Sequence, residues 1–180
     1  EEVVEIVRAA VAAGLRIAPQ SSGHGAGAFA GADLSDVVLV RLHEFTGVSI
    51  DPERRLARVL GGTLWQEVVE AAAPHGLAAL HGSSPDVAVS GYTPGGGGFW
   101  DARQHGLAAH HPRAVELVLA DGRLVRADAE HEADLFWAVK GGGGSFGVVT
   151  ALEFDLLPIP DVYAGMLLWP AELAAQVAHR

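Results

Sequence analysis

The stretch SSGHGAG, residues 21–27, decides how this chain is interpreted. Three glycines fall within its last five residues, so the backbone can adopt positive φ angles and approach a ligand closely. Successive N–H groups in such a loop can converge on one anion. A single imidazole, His24, lies in the middle of these donors. The stretch predicts a loop that holds a phosphate-bearing ligand, and an ordinary glycine-rich turn is the alternative that the loop alone leaves open.

Two common phosphate-binding motifs do not account for this loop. Gly23, Gly25 and Ala28 fit the spacing of a dinucleotide fingerprint, G-x-G-x-x-A, but that motif requires a helix to begin at the glycines. The following residues, Phe29 to Asp36, contain Gly31 and show no helical period. A P-loop is excluded as well, because the chain contains no Gly-Lys-Ser/Thr sequence.

Composition limits the classes of function. The chain has 180 residues, of which 49% are hydrophobic and 19% charged, enough for one domain or two small lobes with a substantial core. A net charge of −10 argues against a nucleic-acid partner. The absence of cysteine excludes disulfides and thiolate metal sites and leaves the redox compartment undecided. No apolar run reaches the roughly 18 residues of a membrane span.

Hydrophobic periodicity and turn residues divide the first half of the chain into helices and strands. A capping box, Thr63 with Gln66, is expected to begin the second helix, and Gly76 to end it. The predicted elements are a helix over Glu1–Ala13, strands over Leu15–Ala18 and Asp36–Leu42, a hairpin of Val48–Ile50 with Leu56–Leu60, and a strand over Leu77–Leu80.

A long irregular segment, His81 to Trp100, separates the two halves. Loops of this length are usually functional or disordered, and its apolar residues favour a loop packed around a ligand. Beyond it, Asp121-Gly122 predicts a tight hairpin turn. The remaining predicted elements are strands over Val115–Ala120, Arg123–Ala127, Gly147–Leu156 and Val162–Trp169, and helices over Glu132–Val139 and Pro170–His179. Mixed helices and hairpins without strict alternation indicate an α+β fold.

Metal and hydrolase chemistry have little support in the sequence. His110 and His111 are adjacent and point apart on a strand, and no His-Glu-x-x-His pattern occurs. No serine stands in a Gly-x-Ser-x-Gly elbow. The feature that remains is a set of glycine-dense loops, and several loops converging on one long ligand favour a dinucleotide.

These motifs together resemble the FAD-binding domain of the p-cresol methylhydroxylase and vanillyl-alcohol oxidase superfamily, and within it the berberine bridge enzyme-like branch, which includes 6-hydroxy-D-nicotine oxidase-like FAD-linked oxidases. Ser22-Gly23-His24 resembles the pyrophosphate loop of that family. Val87 to Gly97 resembles its glycine-rich segment. The most specific match is DLFWAVKGGGGSFGVVT, residues 134–150, and the resemblance extends to about Pro170.

The resemblance implies a two-lobed FAD-binding domain over residues 1–160, with a small lobe over about 1–60 and a second lobe over about 61–160. Residues 161–180 would begin the connection to a substrate domain that is absent. His24 would be the candidate for a covalent bond to the flavin. The residues implied to contact FAD are Ser21, Ser22, Gly23, His24, Gly25, Ala26, Ser83, Ser84, Val87, Gly91, Gly95, Gly96, Gly97 and Val148.

The implied function is hydride transfer from a small organic substrate to the flavin, with oxygen as the acceptor, and no turnover by these 180 residues alone. No catalytic base is identified. The sequence departs from the family at Ser84, where some members have a flavin-linked cysteine, and at Ala88, Phe99 and His110. A non-catalytic FAD-binding module therefore stays open as the alternative, and so does an acidic interaction domain without a cofactor.

Overall fold

The computed structural model describes residues 1–178. Helices α1 to α6 span, in chain order, Glu2–Ala12, Trp65–Ala72, Val89–Tyr92, Ala102–His105, Ala133–Gly142 and Ala174–Ala178. Strands β1 to β7 span Arg16–Gln20, Val37–Arg41, Val48–Asp51, Leu56–Leu60, Pro112–Val118, Leu124–Asp128 and Val148–Asp155. Short 3₁₀ turns cover Ala26–Phe29, Ala73–His75, Ala108–His110, Gly143–Phe146 and Ala171–Leu173. The mixed content confirms the predicted α+β class.

A small parallel sheet holds the first glycine-rich loop in place. Strands β1 and β2 pair in parallel, from Arg16 with Val37 to Gln20 with Arg41. Helix α1 covers this pair because Val3, Val4 and Val7 lie on one face, and Val7 packs in a cluster with Val40 and residues of β5 and β7. The loop at residues 21–27 therefore starts at the carboxyl end of β1, on a strand anchored to the rest of the molecule.

The larger sheet is antiparallel, with strand order β3-β4-β7-β5-β6. Side chains alternate across it, so one face meets α2 and α5 in a core that includes Trp65, Phe136 and Leu152. The opposite face carries charges, among them Arg126, which binds Glu153 through two hydrogen bonds of 2.7 and 2.9 Å. Strand β7 contributes to both hydrophobic clusters and so joins the two lobes.

Two adjacent glycines, Gly61 and Gly62, allow the backbones of the two lobes to pack closely where the lobes meet. Gly61 donates to the carbonyl of Thr150 at 2.9 Å and Gly62 to that of Phe45 at 2.9 Å. A Cβ at Gly62 would overlap the carbonyl oxygen of Leu42, and one at Gly61 would overlap that of Val149. Glycine is required here because backbones approach each other more closely than a side chain allows.

Several predicted elements agree with the structure. Helix α1, strand β2 and strand β7 lie where periodicity predicts them. The β3–β4 hairpin and the β5–β6 hairpin are also confirmed, the latter with Gly122 at φ +77° in its turn. Strand β1 ends two residues later than predicted, at Gln20. The irregular segment after residue 80 contains the short helix α3.

Two strand predictions are wrong, and one helix is found only in part. Leu77–Leu80 is not a strand, because it makes only an isolated bridge between Ala78 and Leu157. Val162–Trp169 forms no strand, since no neighbouring strand pairs with it among residues 1–178. The helix predicted over Pro170–His179 is confirmed in part, as a 3₁₀ turn over Ala171–Leu173 followed by α6, and His179 lies outside the described residues.

The start of helix α2 also differs from prediction. Glu67, not Gln66, accepts from the backbone N–H of Leu64 at 2.9 Å. The hydroxyl of Thr63 instead binds the backbone of Gly47. Strands β3 and β4 belong to the larger sheet, so the change from one sheet to the other falls between β2 and β3. Within residues 1–178, no helix has the length and hydropathy needed to cross a bilayer.

Candidate functional site

A cleft of about 680 Å³ opens between the two lobes. One wall is the glycine-rich loop at residues 21–26, and a second is the segment 87–92, which includes α3. Gly144, Gly147 and Val149 contribute a third side from the start of β7. Apolar side chains of the small lobe, including Leu39 and Leu42, complete the lining. Volumes of this size are typical of sites for small molecules and cofactors.

The loop offers a group of unused backbone donors. Within the part of the chain that the structure describes, the backbone N–H groups of residues 21–25 donate to no protein atom. Gly23 has φ +87°, which turns the chain tightly after Ser22. Consecutive free N–H groups in such a turn carry partial positive charge and form an anion-binding concavity.

Two serines hold the cleft walls together through one carbonyl. The hydroxyl of Ser21 lies 2.7 Å from the carbonyl oxygen of Gly61, and the hydroxyl of Ser90 lies 2.5 Å from it. The two hydroxyl oxygens are 2.9 Å apart. In addition, the backbone N–H of Ala88 donates to the hydroxyl of Ser22 at 3.2 Å. These contacts fix the glycine-rich loop against α3.

Some glycines of the cleft leave space that no protein atom fills. A Cβ at Gly25 or at Gly91 would meet nothing within 4 Å, and one at Gly144 would meet only Pro19 at 3.8 Å. The absent side chains thus keep the surface of the cleft open where its backbone is exposed. A long, flat ligand with a charged centre fits this combination of open glycine backbone and free N–H groups.

His24 stands at the rim of the cleft beside a carboxylate. Its Nε2 lies 3.2 Å from Oδ1 of Asp86, and both side chains are partly exposed, 47% and 70% respectively. Asp86 itself does not line the cleft, although its neighbour Val87 does. The carboxylate therefore contacts the imidazole from outside the cleft.

The electrostatics of the cleft come from the backbone. Among residues 1–178, no lysine or arginine lines it. Tyr92 is a polar group of the lining, and burial raises the pKa of its phenol. The phenol thus stays protonated at neutral pH and donates to the carbonyl of Gly98. An anion in the cleft would therefore be stabilised mainly by backbone N–H groups and dipoles, without a lysine or arginine.

The structure brings together just over half of the sequence-predicted contact residues. Those that line the cleft are Ser21, Ser22, Gly23, His24, Gly25, Ala26, Val87 and Gly91. Those outside the lining are Ser83, Ser84, Gly95, Gly96, Gly97 and Val148. Two of the latter have a packing reason for glycine: a Cβ at Gly97 would press on Ala108 at 2.5 Å, and one at Gly95 would lie 2.9 Å from the carbonyl oxygen of Gly91.

Sequence reasoning missed part of the lining. Ser90, Tyr92 and Gln20 lie directly beside predicted residues, so adjacency to a predicted loop was the available signal. Gly147 and Val149 flank the predicted Val148, whose side chain packs with Val7 instead. Nothing in the sequence indicated that Leu39 and Leu42 line the cleft, because their position there depends on the pairing of β1 with β2. No group of three metal-binding side chains occurs within residues 1–178.

The sequence of the chain is similar to that of known FAD-binding proteins. The sequence profile described as an FAD binding domain matches residues 1–128. (R)-6-Hydroxynicotine oxidase of Paenarthrobacter nicotinovorans is 35% identical over 169 residues, which cover 93% of this chain and 36% of that protein.

Solved structures show the same similarity. Glucooligosaccharide oxidase from Acremonium strictum, described with a 6-S-cysteinyl, 8α-N1-histidyl FAD, matches with a TM-score of 0.77 and 31% identity, over 86% of this chain and 32% of that one. BBE-like 1 of Physcomitrella patens matches with a TM-score of 0.79 and 30% identity, over 86% of this chain and 34% of that one. The chain spans about a third of the length of these relatives.

Proposed function

The chain belongs to the FAD binding domain family, and from this premise we propose that it forms the FAD-binding part of a flavin-dependent oxidoreductase of the berberine bridge enzyme-like type. The observation that carries the proposal is the row of free N–H groups at residues 21–25 in an open, glycine-lined cleft. This chemistry suits the FAD diphosphate, because backbone donors and a left-handed turn stabilise negative charge at short range.

Different residues of the cleft would contact different parts of the cofactor. Gly23 to Gly25 would hold the diphosphate, since a backbone without Cβ atoms allows close approach. Leu39, Leu42 and Val149 would contact the apolar parts of the cofactor. Ser83, Ser84, Gly95, Gly96, Gly97 and Val148 stay proposed contacts of the wider site. The walls also exclude water on the side of the cofactor that they cover.

The proposed activity is oxidation of a small organic molecule. Bound FAD would supply the acceptor for a hydride from a substrate carbon, with oxygen as the terminal acceptor. The relatives are named for oxidation of a hydroxynicotine and of oligosaccharides. Because the chain spans about a third of such proteins, we propose a small-molecule substrate without naming one.

A ligand series tests the binding proposal. FAD, FMN and riboflavin present the same ring with a diphosphate, a monophosphate and no phosphate. If the N–H groups hold the diphosphate, FAD binds more tightly than FMN, and riboflavin binds at least about tenfold more weakly than FAD, since one lost charge-assisted hydrogen bond is worth about 1.5–3 kcal/mol. Equal affinity for the three, measured by quenching of flavin fluorescence, contradicts the proposal.

A matched pair of variants locates the site. Gly25→Val places a side chain in the open space of the loop, at φ −83°, which valine adopts. Gly98→Val adds the same side chain at an open position outside the cleft. We expect loss of FAD binding in the first variant only. Hydrogen peroxide release across alcohols, sugars and amines then tests the oxidase proposal, and bound flavin that no substrate reduces favours a non-catalytic module.

A further inference from the structure

We propose that a small cavity behind the cleft wall binds one water molecule, which links the indole N–H of Trp65, at the start of α2, to the hydroxyl of Thr93, just after α3. Both residues line this cavity. Their polar atoms, Nε1 of Trp65 and Oγ1 of Thr93, are buried and have no hydrogen-bond partner among residues 1–178. The site needs no flavin and is therefore independent of the proposed function.

Both polar groups destabilise the fold if they stay unpaired. Trp65 and Thr93 are each only 2% exposed, and a buried polar group without a partner loses its hydration without compensation. A helical threonine often binds the carbonyl four residues before it. Here that carbonyl, of Val89, accepts the backbone N–H of Thr93 at 3.0 Å. The hydroxyl is thus left for a partner that is not a protein atom among residues 1–178.

The cavity has the size and chemistry of a water site. The centre of a water-sized sphere can occupy about 10 Å³ of it, which admits one water molecule and no larger ligand. Buried side chains of Leu80, Ala108 and Phe154 form its apolar walls. Cavities that stay empty in proteins are lined by apolar groups, whereas a cavity with polar groups in its lining holds ordered water.

His111 offers a third contact. It also lines the cavity, and its Nε2 lies 2.9 Å from the carbonyl oxygen of His105. A carbonyl only accepts, so in the neutral ring the proton resides on Nε2 and Nδ1 is an acceptor. A water molecule can therefore accept from Trp65 and donate to Thr93 and His111. Three hydrogen bonds are typical of a buried water.

The remaining lining residue, Asp155, does not turn the cavity into a cation site. Its carboxylate pairs with Arg113 at 2.6 Å, and its backbone N–H donates to the carbonyl of His111 at 3.1 Å. No lysine, arginine or second carboxylate lines the cavity among residues 1–178. The indole N–H can only donate, which disfavours a cation beside it. A neutral ligand that both accepts and donates fits this lining.

The water bridge lies behind one wall of the cleft. Thr93 directly follows α3, which contributes to the lining of the cleft. The indole of Trp65 packs edge-on against the ring of Tyr92, with centroids 5.8 Å apart. The backbone N–H of Trp65 already binds the carbonyl of Val87, before α3, at 2.9 Å. The water would fix the other end of the same short helix.

Relaxation of ¹⁷O in the solvent counts long-lived buried waters and tests the site in the chain without flavin. Thr93→Val keeps the shape of the side chain and removes the hydroxyl. We expect it to lose one long-lived water, whereas Thr93→Ser keeps it. Thr150→Val is the matched control, because Thr150 is also buried but its hydroxyl donates to the carbonyl of Glu116 at 3.2 Å. The same count in wild type and Thr93→Val, or an equal loss in Thr150→Val, overturns the proposal.

The indole signal of Trp65 locates the water. The chain is labelled with ¹⁵N-tryptophan, and Trp65 is assigned by comparison with Trp65→Phe. We expect a dipolar contact between this N–H and a long-lived water, and only short-lived hydration at Trp137, which is 78% exposed. A Trp65 indole without contact to water overturns the proposal. A contact without any water lost in Thr93→Val indicates relay through the threonine hydroxyl and overturns it as well.

Hydrogen exchange tests what the water does. Because a bridging water contributes about as much as a direct hydrogen bond, the amide of Thr93 should exchange about three- to tenfold faster in Thr93→Val. In Thr93→Ser it should stay within about twofold of wild type. A lost water with unchanged exchange overturns its role in fixing α3 and supports the water site alone. Failure of the chain to bind FAD would contradict the proposed function and change none of these results.

Discussion

The carbonyl of Gly61 is the anchor shared by two walls of the cleft, and a double-mutant cycle tests it. Hydroxyls of Ser21 and Ser90 lie 2.7 and 2.5 Å from this oxygen and 2.9 Å from each other. Two hydroxyl hydrogens cannot satisfy three contacts, so one contact at any moment lacks a hydrogen. Removing one serine therefore leaves the carbonyl with a donor, and removing both leaves it without one in the part of the chain described.

The expected magnitudes follow from this count. Ser21→Ala and Ser90→Ala each lose one net hydrogen bond, worth about 0.5–1.5 kcal/mol, while the remaining hydroxyl commits to the carbonyl. Gly61 is buried, so the double variant also leaves an unsatisfied buried acceptor, which costs about 1–3 kcal/mol more. We predict that the double variant is destabilised by about 1–3 kcal/mol beyond the sum of the two single variants.

Urea unfolding of the four proteins measures this coupling. Ser49→Ala, an exposed serine on the edge strand β3, serves as the control, and we expect it to add to Ser21→Ala within about 0.5 kcal/mol. Additive effects of Ser21→Ala and Ser90→Ala refute the shared anchor. Since the same contacts fix the glycine-rich loop against α3, the double variant should also bind FAD more weakly than either single variant.

Three further predictions follow from the packing and the charges. Gly62→Ala should cost about 1–3 kcal/mol in urea unfolding, because its Cβ would lie 2.8 Å from the carbonyl carbon of Leu42, whereas Gly98→Ala, in open space, should not destabilise. The Arg126 hydrogen bonds lower the pKa of Glu153, so the stability they contribute is present at neutral pH and is lost as pH falls below the ordinary pKa of 4.5. Glu153→Gln should therefore reduce the fall of the urea midpoint in acid. An unchanged pH profile of the midpoint contradicts this prediction. Raising ionic strength to about 0.15 M should not weaken FAD binding, since no lysine or arginine among residues 1–178 lines the cleft and the net charge is −10; a marked rise in Kd with salt contradicts a backbone-based site.

The sequence predicted the features that depend on local chemistry. The loop around Gly23 was identifiable because glycine density and a following non-helical run are both local. The hairpin at Gly122 was identifiable for the same reason, since its turn type requires a particular residue pair. Helix α1 followed from the spacing of its valines, and residues 134–150 carried a long family signature.

Features that depend on distant partners were not predictable. Val162–Trp169 has strand-like composition, but a strand requires a neighbour, and none pairs with it among residues 1–178. Leu39 lies in the cleft lining only because β1 and β2 pair in parallel. That pairing cannot be predicted from the residues of either strand. The anchor at Gly61 joins serines that are 69 positions apart in the chain. Gly95 and Gly97 are a related case. A Cβ at either position would lie too close to neighbouring atoms, and the glycine-rich sequence alone does not reveal this packing requirement.

Amide NMR of the uniformly ¹⁵N-labelled chain during titration with FAD identifies the groups that hold the diphosphate. We expect the N–H groups of residues 21–25 to show the largest shifts and the strongest protection from hydrogen exchange, and riboflavin to leave these amides almost unchanged. Shifts of these amides with riboflavin equal to those with FAD, or FAD-induced changes confined to the charged face of the larger sheet around Glu153, would contradict it.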